Sequence, residues 1–166
     1  RSALPLQRAA HDKHLGDAEA LLRRATTLAP GYTAAWIMLG TMLHEASRHP
    51  ESIECYRMAA TLEPANAAAW SGLGNAHAQA GEVKRSAEAY KRSLALQPDA
   101  PGVQMGYGHV LKTLGDQAAA LSAYRAAIAG KPDFGEVYWS MANLKVFRFE
   151  DAEVAASLPP PAPLAG

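Results

Sequence analysis

The chain has 166 residues, of which 49% are hydrophobic and 19% are charged, and its 16 Lys and Arg residues balance 16 Asp and Glu residues. This composition is typical of a folded domain and disfavours disorder, because the apolar fraction is ordinary and no net charge opposes collapse. Positive and negative side chains are interspersed, which disfavours a nucleic-acid partner and favours a protein partner.

The sequence carries no apolar run long enough for a membrane span and does not open with a charged-then-apolar leader. Cys55 is the only cysteine, which rules out an internal disulfide and a cysteine-cage metal site, so the expected compartment is the cytoplasm. Because the sequence begins at Arg1 and not at a methionine, we expect a processed or cut fragment.

Proline recurs every 34 residues, at Pro30, Pro64, Pro98 and Pro132, which indicates an internal repeat. Five further columns share this period: Trp36, Trp70, Gln104 and Tyr138; Leu39, Leu73, Tyr107 and Met141; Gly40, Gly74, Gly108 and Ala142; Leu22, Tyr56, Tyr90 and Tyr124; Ala25, Ala59, Ser93 and Ala127. Columns that stay in phase over four units predict one structural motif used repeatedly.

Taken in chain order, the elements start with a poorly defined helix over about residues 4–14, because Pro5 stands near the expected aromatic start. In residues 33–46 the apolar and small side chains recur at three, four and seven residues, and residues 50–62 repeat the pattern, which predicts two helices per unit. The last unit has only a short second helix, about Glu150 to Ser157, before a Pro-rich tail that we expect to be extended and mobile.

These columns resemble the tetratricopeptide repeat over about residues 16–143, with its Trp, Leu-Gly, Ala, aromatic, Ala and Pro landmarks. The resemblance implies an all-α fold, a right-handed superhelical solenoid of helix-turn-helix units. It also implies a non-enzymatic protein–protein interaction module that holds a peptide or protein in a concave groove. The expected division is a repeat domain over 1–157 (a degenerate unit at about 1–32, full units at 33–66, 67–100 and 101–134, and a partial unit at 135–157) and a tail over 158–166.

By the same resemblance, five positions of each first helix face the ligand. The main candidates are Thr41, His44, Ser71, Asn75, Gln79, Met105, His109, Lys112, Glu136, Trp139 and Asn143, and the same positions include Ile37, Glu45, Thr113, Val146 and Phe147. Asn75, His109 and Asn143 form a column whose amide and imidazole groups could bind the backbone of an extended peptide. The alternative is that these are solvated polar residues on an exposed face. Lys112 is the only cation among them, which disfavours a clamp for an acidic C-terminus.

A second resemblance concerns residues 132–149 alone, which read PDFGEVYWSMANLKVFRF. This segment is similar to the closing unit of the repeat region in bacterial proteins that join tetratricopeptide repeats to a sulfotransferase domain. The sequence has no glycine-rich phosphate loop of the kind a sulfotransferase domain needs. The alternative function is therefore the adaptor section of a bacterial sulfotransferase whose catalytic domain is absent from this chain.

The remaining histidines and the cysteine are best explained by structural roles. We therefore predict no catalytic residue, cofactor or metal site. His11 and His14 share a helical face but lack a third ligand. His77 stands in a column of buried leucines and is expected to pack with its ring nitrogen satisfied. Cys55 has no paired histidine, which disfavours a nucleophile.

Three further groups of residues carry predictions of packing, solvation and self-association. A basic cluster on one second helix is interleaved with glutamates and is expected to be solvated; it comprises Lys84, Arg85, Lys91 and Arg92. Gly106 and Gly108 are expected to allow close helix packing and not to cradle a phosphate. Apolar residues of the last unit, Trp139, Val146, Phe147 and Phe149, predict a homodimer through a solenoid end.

Overall fold

The computed structural model describes residues 3–144, with side chains from residue 12 onward. All regular structure in this range is helical, as the sequence predicts. The helices are α1 (Ala3–Leu28), α2 (Thr33–Glu45), α3 (His49–Leu62), α4 (Ala67–Gln79), α5 (Val83–Leu96), α6 (Pro101–Thr113), α7 (Gln117–Gly130) and α8 (Gly135–Ala142). The chain divides into two compact parts, residues 1–82 and 83–166, which we describe separately as the first unit and the second unit. Each 34-residue motif within them is a repeat.

Capping groups and prolines fix where the helices begin. The Asn66 side chain accepts hydrogen bonds from two backbone N–H groups at the start of α4, and Asp116 does the same for one N–H of α7. Pro50 and Pro101 occupy the first turns of α3 and α6, where a proline costs no intrahelical hydrogen bond.

The turn between the two helices of a repeat contains a residue in the left-handed backbone conformation. Ser47, Gly81 and Gly115 have φ angles of 59°, 77° and 88°, and they lie 34 residues apart. Glycine adopts this conformation without a steric penalty, whereas in other residues the Cβ atom destabilises it. This column marks the turn in every full repeat, and hydrophobic periodicity does not reveal it.

The first helix differs from the prediction, because α1 is continuous from Ala3 to Leu28 and does not end near residue 14. The residue that matches the turn column in this repeat is Lys13, and the nearby Gly16 is three positions too late. The left-handed conformation is unfavourable for a lysine, which has a Cβ atom. One glycine inside a helix lowers helix stability by only about 1 kcal/mol, so the helix continues through the expected turn.

In the first unit, α2 packs against α3 and α4, and the core forms around Tyr56. A Cβ added at Gly40 would lie 3.2 Å from the Tyr56 ring, and one added at Gly72 would lie 2.5 Å from its Cζ atom. The ring therefore occupies a slot between two glycines on different helices. Gly40 belongs to the predicted small column, whereas Gly72 belongs to a second glycine column that the sequence analysis did not identify.

In the second unit, tyrosines of α5 and α7 each contact one glycine of α6. A Cβ at Gly106 would meet the Tyr90 hydroxyl oxygen at 2.8 Å, and one at Gly108 would meet the Tyr124 ring at 2.5 Å. Both glycines thus serve close packing, as predicted. Tyr124 is fully buried with Val137 and Met141 of α8, so the core continues into the last described helix.

The aromatic column near the start of each repeat has a second role besides packing. The indole Nε1 of Trp36 donates to the Pro30 carbonyl at 2.8 Å, and Trp70 donates to Pro64 at the same distance. Gln104 takes this position in the next repeat, and its Nε2 donates to the Pro98 carbonyl at 2.6 Å. The glutamine interrupts the aromatic column but keeps the N–H donor that binds the preceding turn.

Some predicted features fall outside the described residues. These are the second helix of the last repeat at 150–157, the tail at 158–166, and Val146, Phe147 and Phe149.

Candidate partner-binding surface

In the first unit the candidate residues lie on α2 and α4, which pack side by side. Asn75 and Gln79 are exposed, and Ser71 is half-buried. Thr41 is exposed too, but its Oγ1 lies 2.9 Å from the Ile37 carbonyl, to which it donates, and 2.8 Å from the Tyr56 hydroxyl. Thr41 therefore links the surface to the buried tyrosine beneath it.

His44 is half-buried at the end of α2, beside His49 at the start of α3. Burial lowers the pKa of His44, the neighbouring His49 lowers it further, and the Glu45 carboxylate acts in the opposite direction. The ring therefore favours its neutral form, which can accept as well as donate a hydrogen bond.

In the second unit the candidates lie on α6 and α8, and His109 is the best defined. Its Nδ1 lies 2.9 Å from the Tyr124 hydroxyl, and the two rings meet edge to face with centroids 5.5 Å apart. Burial lowers the pKa of His109, with Glu136 opposing this shift and Lys112 adding to it. Both charged side chains thus act on the titration of the imidazole.

Trp139 is the most prominent side chain of this surface, since 71% of it is exposed. Asn143, one turn later, donates from Nδ2 to the Trp139 carbonyl at 2.8 Å, and its side chain stays exposed. Met105 on α6 packs against the core cluster of this unit. We name Met105, His109, Lys112, Glu136, Trp139 and Asn143 the second-unit face. Its predicted members offer an exposed aromatic ring, a partly buried methionine and charges of both signs.

The position equivalent to Thr41 is His109, so the same contact occurs in both units: a polar residue on the first helix meets the tyrosine hydroxyl of the second helix. The sequence predicts that His109 belongs to a ladder of peptide-binding groups. One of its two ring nitrogens has a partner within the protein.

Comparison with known families supports the repeat assignment. A family model described as a TPR repeat matches residues 40–81, and one described as a tetratricopeptide repeat matches residues 72–133. The chain is a tetratricopeptide repeat protein. Repeats of this family form protein-interaction scaffolds and are typically not catalytic.

Solved structures show the same fold. A structure titled "Crystal structure of MamA" is 20% identical with a TM-score of 0.75, and the match covers 90% of this chain and 88% of that one. "Crystal structure of MamA protein" is 22% identical, with a TM-score of 0.74 and coverage of 81% and 73%. "MamA 41-end from Desulfovibrio magneticus RS-1" is 17% identical, with a TM-score of 0.67 and coverage of 74% and 69%. The predicted class, an all-α solenoid of tetratricopeptide repeats, is confirmed.

No curated protein matches the sequence of this repeat protein. None of the matches above names a sulfotransferase, so the resemblance of residues 132–149 stays a prediction. Among the described helices, none combines the length and apolar character that crossing a bilayer requires.

The other sequence candidates have structural surroundings within the repeats. His77 is 6% exposed, so the predicted packing is confirmed, and its Nδ1 lies at the ion-pair distance of 2.8 Å from Glu82 Oε2. Burial raises the pKa of the Cys55 thiol to about 11, so it is not a reactive thiolate. The predicted basic cluster on α5 is exposed throughout: Lys84, Arg85, Lys91 and Arg92.

Proposed function

We propose that this protein binds a peptide or protein partner on the groove side of its first helices, with the second-unit face as the principal contact. The observation that carries the proposal is the exposed indole of Trp139, which lies one helical turn after Glu136 on α8. Exposed aromatic residues account for much of the affinity at protein interfaces, because they bury a large area at low conformational cost. The polar residues of the first unit, Thr41, His44, Ser71, Asn75 and Gln79, form a second contact set of the same kind.

The chemistry of this face favours a partner segment with an apolar anchor. The indole and the Met105 side chain would contact an apolar or aromatic residue, while Asn143 would hydrogen-bond to the partner's main chain. Lys112 and Glu136 carry opposite charges, so the face does not select strongly acidic segments. A preformed helical surface also avoids part of the ordering cost of binding.

The test starts with peptides selected from a random library against the immobilised chain, followed by affinity measurements on soluble protein. We expect the Trp139→Ala variant to bind the selected peptides about tenfold more weakly or worse, as for a hot-spot residue. Leu28→Ala is the matched control, since Leu28 is 74% exposed and lies outside the candidate face. Equal peptide affinity of wild type and Trp139→Ala, with unchanged thermal stability, would remove the assignment.

The alternative function, the adaptor section of a bacterial sulfotransferase, rests on the sequence of residues 132–149 alone. Its test is the coding sequence beyond Gly166. A downstream strand followed by a glycine-rich loop would support this function, and an immediate stop would exclude it.

A further inference from the structure

His44 and His49 form a close pair that the partner-binding surface does not explain. They stand on either side of the turn between α2 and α3, with ring centroids 5.5 Å apart and ring planes at 58°. The Nδ1 atom of each ring is buried and has no hydrogen-bond partner. Buried polar atoms in proteins nearly always have a partner, so two adjacent exceptions call for a ligand that supplies one.

The ring separation matches two imidazoles that share one metal ion. A Zn–N bond of about 2.0–2.1 Å places each ring centroid about 3.2 Å from the metal, and a tetrahedral angle then separates the centroids by about 5.2 Å. The observed 5.5 Å is close to this value. Imidazole nitrogens are preferred ligands for zinc, copper and nickel ions.

The turn that separates the two histidines is well ordered by the backbone. The Ser47 N–H donates to the His44 carbonyl at 2.9 Å, and the Arg48 N–H donates to the Leu43 carbonyl at 2.8 Å. These bonds fix the end of α2 relative to the start of α3, so the backbone positions that carry the two rings are set before any ligand binds. Preorganisation of this kind favours binding.

Glu45 follows His44 directly and adds an exposed carboxylate near the pair. In the part of the chain that the structure describes, no third protein ligand completes the site.

We propose that His44 and His49 form a two-imidazole site for a divalent first-row transition cation, Zn²⁺ or Cu²⁺, with water molecules as the remaining ligands. The incomplete protein coordination predicts a reversible site and not a permanent structural one. The sequence analysis missed it because a five-residue separation does not place two histidines on one helical face. The turn brings them together instead.

The direct test is calorimetric titration of the full chain with ZnCl₂, comparing wild type with the double variant H44Q/H49Q. We expect the variant to lose one equivalent of binding, or to bind it at least about tenfold more weakly, as when a metal site loses its ligands. The matched control is H11Q/H14Q, which removes the other histidine pair of the sequence and should keep the equivalent. Binding that persists in H44Q/H49Q and disappears in H11Q/H14Q would overturn the proposal.

A second measurement on wild-type protein guards against misfolding of the variant. Long-range ¹H–¹⁵N spectra of the histidine rings report on each nitrogen separately. Addition of Zn²⁺ should shift the Nδ1 resonances of both His44 and His49 at one equivalent. Unchanged Nδ1 resonances at saturating Zn²⁺ would contradict the site and would indicate that water occupies the gap.

Discussion

At the scale of single residues, Tyr56 occupies a slot between two glycines. Tyr56 is 5% exposed, and its ring faces Gly40 on one side and Gly72 on the other. A methyl group on either helix would occupy space that the ring already fills. The small columns of the sequence are thus explained by contacts with a large residue in another column.

The first prediction concerns Gly72, which we would replace by alanine. The added Cβ overlaps the Tyr56 ring, so we expect a loss of about 1–3 kcal/mol in unfolding free energy from overpacking. Gly102→Ala is the control, because no atom lies within 4 Å of its Cβ position and alanine favours a helix by up to about 1 kcal/mol. Chemical denaturation measures both.

Replacing the ring identifies the cause of the loss. Leu22 stands in the same sequence column as Tyr56, so leucine is a natural smaller substitute. The double variant G72A/Y56L should lose less stability than the sum of the two single variants. Strict additivity, or a Gly72→Ala variant as stable as wild type, would show that the slot is not tight.

His109 provides a pH-dependent prediction at the same scale. Because burial lowers its pKa, the unfolded chain takes up a proton more readily than the folded protein. Stability is therefore unaffected above the ordinary histidine pKa of about 6.5 and falls as the pH drops below it. His109→Gln should flatten the slope of unfolding free energy against pH below about 6.5. His44 shifts in the same direction, so part of the slope should remain; an unchanged slope would mean that His109 is protonated equally in both states.

At the scale of elements, α1 is attached to α3 by a network of four charges. Arg48 bonds Glu19 at 2.8 Å and Glu51 at 2.7 Å, and Arg23 bonds the same two carboxylates at 2.8 Å and 2.7 Å. Hydrogen bonds from the arginines lower the pKa of both glutamates, with Arg23 the main cause for Glu19 and Arg48 for Glu51. A network of this kind stabilises a protein more than isolated surface ion pairs do, although salt screens its charges.

The Arg48→Gln variant tests this network. We expect a modest loss of stability at pH 7 that disappears in 1 M salt, where the screening length falls to about 3 Å. Since both glutamates have lowered pKa values, the network stabilises the protein above the ordinary value of 4.5 and is lost as the pH falls through the lowered values. The control is Arg57→Gln, whose partner Glu54 forms a single exposed pair. A salt-independent loss for Arg48→Gln would point to packing instead.

The helices themselves were largely predictable, because the columns and the helical stripes fixed α2 to α7 within one or two residues. The sequence did not reveal that α1 would continue past residue 14, since the turn depends on the backbone conformation at the position of Lys13. Nor did it show that Gln104 replaces a tryptophan as a hydrogen-bond donor. The continuation of α1 depends on backbone conformation, and the role of Gln104 depends on one N–H group. Neither property is visible in hydrophobic periodicity.

The candidate surface was predictable only in part. Family resemblance located the positions, but burial and hydrogen bonding decide what each residue can offer. Thr41 and His109 turn out to bind tyrosine hydroxyls, whereas Trp139 is exposed, as its predicted place on the ligand-facing side implies. Side-chain exposure arises from packing between helices that are distant in sequence.

At the scale of the whole molecule, the protein is a repeat scaffold that offers surfaces to other molecules. The second-unit face offers the exposed tryptophan, and the His44–His49 pair would add a metal-dependent feature in the first unit. The predicted homodimer through a solenoid end rests partly on residues outside the described range and remains a prediction. Light scattering at high concentration would show a strict monomer if it is wrong.

The most direct test of the proposed binding surface is the set of indole N–H resonances in a ¹H–¹⁵N spectrum. Trp36 and Trp70 each donate their indole N–H to a proline carbonyl, whereas Trp139 is mostly exposed. On titration with a library-selected peptide, we expect the Trp139 indole resonance to shift while those of Trp36 and Trp70 stay in place. A bound peptide that leaves the Trp139 resonance unmoved would contradict the account.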